Sequence, residues 1–311
     1  MLGTGDFALP TFLRLCDRGY NVVALVTQPD RPQGRKQEVI PSRIKQAALE
    51  RGIPVEQPED VNAPAAVERL RALAPDLLVT AAYGQILSAE VLSIPRFGGI
   101  NLHGSVLPAY RGAAPVARAI QNGETETGVT VIRMTPQIDA GGMIAVARTP
   151  IDPDETAGEL EARLAELGAP LVIEAIEKVL SGTAQIIPQD KSQVTRAPKL
   201  RKEDGQIDWT KPAVAIHNLV RAMQPWPVAY TTWHPAEVGK GPVRLLIHRT
   251  RPVAGQGSPG QVIEAAKDRF VVAAGEGAVQ LLVVQVAGKK PMPAAEFLRG
   301  HRVFPGDRMG A

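Results

Sequence analysis

Apolar positions along this chain fall into short runs separated by polar turns, and the period of each run predicts its element. Residues 20–27 (YNVVALVT), 53–57, 76–82 (DLLVTAA) and 99–103 (GINLH) are continuous or β-branched apolar stretches of strand length. Helical spacing is found between them, over 10–15, 41–51, 65–73 and 116–121, with a further helical turn near Ala89. Two more strands are predicted over 128–134 (GVTVIRM) and 143–148, then a long helix over 156–180. Alternation of strands with helices predicts an α/β domain built on a parallel sheet.

The pattern changes near Pro188. Residues 189–204 (QDKSQVTRAPKLRKED) are polar, with five basic and three acidic side chains, and read as a linker. Beyond them come the short run 207–209, a helix over 212–223, and strand-like runs at 229–233, 243–249, 260–265, 269–273 and 279–286. Short strands between Gly/Pro turns predict a small β-barrel. The expected organisation is an α/β domain over 1–188, a basic linker over 189–204 and a barrel domain over 205–311.

Composition is that of an ordinary globular chain, 44% hydrophobic and 22% charged over 311 residues. The charge is unevenly placed. From Gln206 onward there are 13 Lys/Arg against 7 Asp/Glu, while the preceding residues hold 22 against 25. A basic C-terminal third on a slightly acidic remainder points to a polyanionic partner. The single cysteine, Cys16, permits no internal disulfide and is expected in the core. No Cys/His spacing suggests a metal, and no apolar run is long enough for a bilayer. The first residues lack a signal pattern, so a cytoplasmic location is expected.

Two motifs bear on chemistry. Gly3, Gly5 and Ala8 fit the G-x-G-x-x-G/A fingerprint, with Asp30 downstream, which raises a nicotinamide cofactor. That fingerprint has meaning only after a strand, and here only Met1 and Leu2 precede it, so the first strand is expected to be truncated. The second motif is the run 99–115. Asn101 and His103 lie two apart on a strand and share a face. The strand then breaks at Gly104 into a Gly/Pro loop, as at the ligand-binding end of an open parallel sheet. Asp139, in the turn QIDAGG between two later strands, would meet that imidazole if the turn comes over the strand end. An amide and an imidazole facing one spot can stabilise a developing oxyanion, and a carboxylate can take a proton from an attacking amine. The plain alternatives are a hydrogen-bonded core histidine and an Asx turn at Asp139.

The runs NLHGSVLP (101–108) and YRGAAP (110–115) resemble the signature of the formyltetrahydrofolate-dependent transferases. TQPDRPQGR (27–35), AYGQIL (82–87), ETGVTV (126–131) and IDAGGMI (138–144) extend the likeness, as do IDW (207–209), QPWPVA (224–229) and AGKKPM (287–292). Taken whole, the chain resembles the branch of that superfamily acting on methionyl-tRNA. The resemblance implies a Rossmann-like catalytic domain followed by an OB-like barrel. It implies formyl transfer from 10-formyltetrahydrofolate to methionyl initiator tRNA, with no metal, by a chain expected to be monomeric. By position it implies Asn101, His103 and Asp139 as the catalytic group. It implies Ser105, Val106, Leu107 and Pro108 as the folate loop, and Tyr83, Gln85 and Leu87 along the pterin pocket. It further implies that Arg31, Arg35, Lys36 and Arg43 approach the tRNA acceptor end, and that Lys199, Arg201, Lys202, Lys289 and Lys290 meet phosphates.

Four departures stand out: Gly5 in place of a proline, the missing first strand, Val106 in place of leucine, and Gln37 and Glu38 where lysines are common. The missing strand predicts a weakened sheet edge. Rival readings use the same donor with a sugar nucleotide or water as acceptor, or make the chain a non-catalytic RNA-binding module. The basic tail and the intact Asn101, His103 and Asp139 weigh against them.

Overall fold

The computed structural model describes residues 1–33, 38–236 and 241–310. Two compact units emerge. One comprises Met1–Pro115, Glu126–Pro150 and Leu160–Pro198, the other Val116–Thr125, Ile151–Glu159 and Lys199–Ala311. The second unit thus draws in two segments from the first half of the chain. Buried side chains on the helix Ala213–Ala222 explain one of them. Arg221 donates to the carbonyls of Asp152 and Glu155, both at 3.2 Å, and His217 Nε2 lies 3.1 Å from the carbonyl of Pro153. The stretch 189–198, read from composition as linker, packs into the first unit, where Arg196–Ala197 pairs with Arg111–Gly112.

A seven-stranded sheet forms the first unit. Its order is Met143–Pro150, Glu126–Arg133, Gly99–His103, Leu78–Ala81, Leu2–Gly3, Leu25–Val26 and Val55–Glu56. The five strands from Gly99–His103 to Val55–Glu56 are parallel. The remaining two pair antiparallel with their neighbours, Glu126–Arg133 with Gly99–His103 and Met143–Pro150 with Glu126–Arg133, so the expected parallel sheet carries an antiparallel hairpin at one edge. The turn 134–142 is too short for a parallel crossover, which needs about a dozen residues or more. Leu2–Gly3 is only two residues long, yet it is an interior strand: Leu2 pairs with both Val26 and Thr80. The expectation of a weak edge there is therefore wrong. The chain winds outward from Leu2–Gly3 in both directions, so this two-residue strand marks the point where the strand order reverses, the usual ligand crevice of such sheets.

Packing fixes which face of Gly99–His103 is open. The helix Ala157–Leu180 approaches so closely that a Cβ at Gly168 would lie 2.6 Å from Leu102 Cδ2. Leu102 faces that helix, so Asn101 and His103 face the other way. A buried cluster of Leu2, Val26, Val67, Leu78, Tyr83 and Leu87 joins the helix Pro64–Ala72 to the sheet. Cys16 is half-buried on the helix Leu9–Asp17 rather than in the core.

In the second unit an antiparallel sheet runs in the order Val262–Ala266, Arg269–Ala273, Ala278–Val286, Val243–Val253, Ala229–His234 and Arg308–Gly310. The sheet curls until its ends meet. Gln261 bridges Arg308, and Val262 N donates to the Asp307 carbonyl at 2.8 Å. Asp307, 1% exposed, accepts from Trp233 Nε1 at 2.9 Å, Ala236 N at 2.8 Å and Phe304 N at 3.1 Å. A buried carboxylate with three N–H donors clasps the closing strand. Among the described residues no helix is long and apolar enough to cross a membrane.

Candidate active site

His103 ends the strand Gly99–His103 and is 5% exposed. Its Nε2 lies 2.9 Å from the Tyr110 carbonyl. A carbonyl only accepts, so Nε2 carries the proton in that contact. The other ring nitrogen, Nδ1, faces Asp139 Oδ2 at 3.5 Å, and both side chains are largely shielded from solvent. The same Oδ2 accepts the Gly112 N–H at 2.9 Å. The turn after Met134 thus does bring Asp139 over the strand end, and the imidazole has an acceptor at each nitrogen. Asn101, two residues earlier on the same face, is half-buried, and its side chain has no hydrogen-bond partner among the described residues.

Both partners of His103 occupy backbone that L-residues seldom adopt: φ is +61° at Tyr110 and +49° at Asp139. Such conformations persist where surrounding contacts over-determine them. Tyr110 N donates to Thr195 Oγ1 at 2.8 Å, and Arg111 N to the Thr195 carbonyl at 2.9 Å. Gly112 has φ +128°, and a Cβ there would come within 2.5 Å of the Ala197 carbonyl oxygen. The signature loop is therefore moulded against the 195–197 segment. Sequence reasoning passed over Tyr110, Thr130 and Thr195. Tyr110 sits inside the signature, but no pattern marks the other two.

Thr130, fully buried on Glu126–Arg133, fixes the loop that follows His103. Its Oγ1 donates to the Ser105 carbonyl at 2.7 Å and accepts Leu107 N at 3.1 Å. Ser105 Oγ donates to the Ala109 carbonyl at 2.6 Å, and the Leu107–Pro108 peptide is cis. Ser105 and Leu107 are buried and shape the loop from within, while Val106 and Pro108 are half-exposed. Tyr83 and Leu87 likewise point into the core cluster. Burial pushes the Tyr83 phenol up to about 12. Gln85 holds the neighbouring loop: its Oε1 accepts Val61 N at 2.8 Å and its Nε2 donates to the Pro58 carbonyl at 3.2 Å. The Tyr83 carbonyl is taken by Gln28 Nε2 at 3.1 Å and that of Ile86 by Asn62 Nδ2 at 2.9 Å. No hydrogen bond among the described residues uses the backbone N–H or C=O of Gln85 or Leu87.

Asp30, which a dinucleotide site would need for a ribose, is already engaged by Lys45 Nζ and by Gln57 Nε2 at 3.1 Å. The Lys45 bond holds its carboxyl below the ordinary range. The basic residues are scattered. In the first unit, Arg31 pairs with Glu59 at 3.0 Å and Arg43 lies 3.5 Å from Asp6, all of them exposed. Arg35 and Lys36 lie outside the described residues. In the second unit, Lys199, Arg201 and Lys202 are exposed beside the turn Lys202–Gly205, which Arg118 fastens through Asp204 at 2.8 Å. Lys289 and Lys290 are exposed in the connection after Ala278–Val286. Among the described residues no cluster of His, Cys, Asp or Glu is arranged to hold a metal ion.

Comparison with known proteins bears on this geometry. Residues 1–176 match the formyl transferase family and residues 199–302 the formyl transferase C-terminal domain. A methionyl-tRNA formyltransferase of Moorella thermoacetica is 43% identical over 311 residues, covering 99% of this chain and 98% of its own. Another, from Trichlorobacter lovleyi, is 47% identical over 302 residues, covering 96% and 93%. Among solved structures, a sugar 3N-formyl transferase superposes with TM-score 0.66 at 18% identity, over 93% of this chain and 97% of its own. HypX from Aquifex aeolicus reaches TM-score 0.65 at 20% identity, over 98% of this chain and 48% of its own. At such identities the structural likenesses speak for the fold alone. The family matches and the full-length relatives go further: this chain belongs to the formyl transferase family and has both of its domains.

Proposed function

We propose that this protein transfers the formyl group of 10-formyltetrahydrofolate to the α-amino group of methionyl initiator tRNA. One observation carries the reading. His103 is buried between the Tyr110 carbonyl and the Asp139 carboxylate, on the strand face that also presents the unpartnered Asn101 amide. This arrangement suits acyl transfer to an amine. Asn101 is a donor for the charge that develops on the formyl oxygen, and His103 becomes a second once its Nε2 proton leaves the Tyr110 carbonyl. Asp139 balances the imidazole and accepts a proton from the attacking amine. With no serine or cysteine nucleophile in this cluster, the transfer is direct.

The free backbone groups of Gln85 and Leu87 suit the donor and acceptor edge of a pterin, and the loop 105–108 supplies a fixed wall. The folate, when bound, would supply the activated formyl group and leave as tetrahydrofolate. Exposed Arg31, Arg43, Lys199, Arg201, Lys202, Lys289 and Lys290, with Arg35 and Lys36, would contact tRNA phosphates and so position it without reading sequence. In this reading residues 1–188 are catalytic, 189–204 connect, 205–311 bind tRNA, and the enzyme works as a cytoplasmic monomer. The test is formylation of methionyl initiator tRNA by the purified protein with 10-formyltetrahydrofolate, run beside elongator methionyl-tRNA. Rapid formylation of the initiator alone supports the reading. Release of tetrahydrofolate without formylated tRNA overturns it.

A further inference from the structure

Gln189 lies in the polar stretch that composition marks as linker, yet its side chain is saturated. Its Oε1 accepts from Arg111 Nε at 3.0 Å and from Nη2 at 2.7 Å. Its Nε2 donates to the carbonyls of Asp139 at 2.8 Å and Gly141 at 2.7 Å. An amide has two lone pairs and two N–H groups, and here all four are used. The two sides of this clamp are the two sides of His103. Arg111 directly follows Tyr110, whose carbonyl takes the Nε2 proton. Asp139 supplies the carboxylate opposite Nδ1. The clamp also grips the Asp139 peptide where φ is +49°, backbone that needs outside support to persist.

We propose that Gln189 is a positioning residue for the reaction: it ties the Asp139 turn to the Tyr110–Arg111 loop and so sets the carboxylate against the imidazole. This rests on the formyl-transfer reading above. A general base or a charge-balancing carboxylate loses much of its effect when displaced by about an ångström. Gln189 touches neither reactant in this scheme and acts through Asp139. A purely structural staple would need only the Arg111 half of the clamp, since that half already joins 189 to the signature loop.

Gln189→Glu separates the two roles. It keeps the shape and gives Arg111 a stronger acceptor, but places an oxygen against the Asp139 and Gly141 carbonyls. Gln189→Ala removes both halves without adding repulsion. Each variant is assayed beside the unaltered protein for kcat and for KM of folate and tRNA. The imidazole ¹⁵N shifts of His103, assigned by their loss in His103→Gln, are recorded without substrates. We expect kcat about 10- to 100-fold lower in both variants, by analogy with misplaced catalytic groups. KM values should stay within about twofold, melting temperatures should fall modestly, as for the loss of ordinary hydrogen bonds, and the His103 shifts should move. Unchanged kcat in Gln189→Glu, or unmoved His103 shifts in both variants, overturns the proposal. If the unaltered protein forms no formyl-tRNA, the functional reading fails instead, and the ¹⁵N shifts still decide whether Gln189 sets the His103–Asp139 pair.

Discussion

One ring nitrogen of His103 is satisfied by the Tyr110 carbonyl at 2.9 Å and the other faces Asp139 at the looser distance of 3.5 Å. Catalytic contacts are often long before substrate binds and tighten afterwards. His103→Ala should therefore lower formyl transfer by about two to four orders of magnitude, as for the loss of a proton donor or an oxyanion contact. Asn101→Ala should cost about two to three orders, with little loss of stability because the amide has no partner to abandon. Steady-state formylation and a thermal melt on each variant check both. Tyr83 makes a different prediction. Its hydroxyl is buried without a hydrogen-bond partner among the described residues, and burial lifts its phenol from 10.0 to about 12. The folded protein therefore holds that proton more tightly than the unfolded chain. Between pH 10 and 12 the unfolded chain loses it first, so stability falls as pH rises through that window. Tyr83→Phe removes this dependence. Denaturant midpoints of the two proteins should diverge above pH 10, with the variant the more stable.

The turn that presents Asp139 depends on Gly141. A Cβ there would lie 1.7 Å from the Arg133 carbonyl oxygen, a backbone atom with no rotamer in which to retreat. Gly141→Ala must open the hairpin between Glu126–Arg133 and Met143–Pro150, at a cost of about 1–3 kcal/mol by the measure of overpacked interiors. It should also lower kcat, because the Asp139 carboxylate moves with the turn. Calorimetry together with formylation kinetics tests this, and an unaltered melt would show that the turn has room the structure denies it.

The uneven charge places a net excess of positive groups in the C-terminal third. Phosphate contacts release counterions, so each contributes about 0.7 to 0.9 to the slope of log affinity against log salt. Reversing Lys199, Arg201 and Lys202 together should weaken tRNA binding and make that slope shallower by about two, if all three meet phosphates. Filter binding across a salt series reads both quantities. The turn Lys202–Gly205 is held by Asp204 to Arg118 rather than by these three side chains, so the fold should survive the change.

Much was legible in the chain before any coordinates. Apolar periodicity located the strand Gly99–His103 and the helix Ala157–Leu180 within a residue or so, because burial of one face imposes its period on sequence. The i, i+2 spacing put Asn101 and His103 on one face for the same local reason. Tertiary structure alone settled the rest. Leu2–Gly3 looks too short to matter, and only its two neighbours make it an interior strand of the sheet. Arg308–Gly310 has no strand signature, and it closes the barrel because Asp307 is clasped by distant N–H groups. Gln189 and Thr195 were invisible as site residues because a polar side chain in a polar run carries no period, and Thr130 because a threonine in an apolar strand reads as an ordinary strand former. Their roles come from long-range hydrogen bonds, which depend on where the chain returns in space and leave no trace in local spacing.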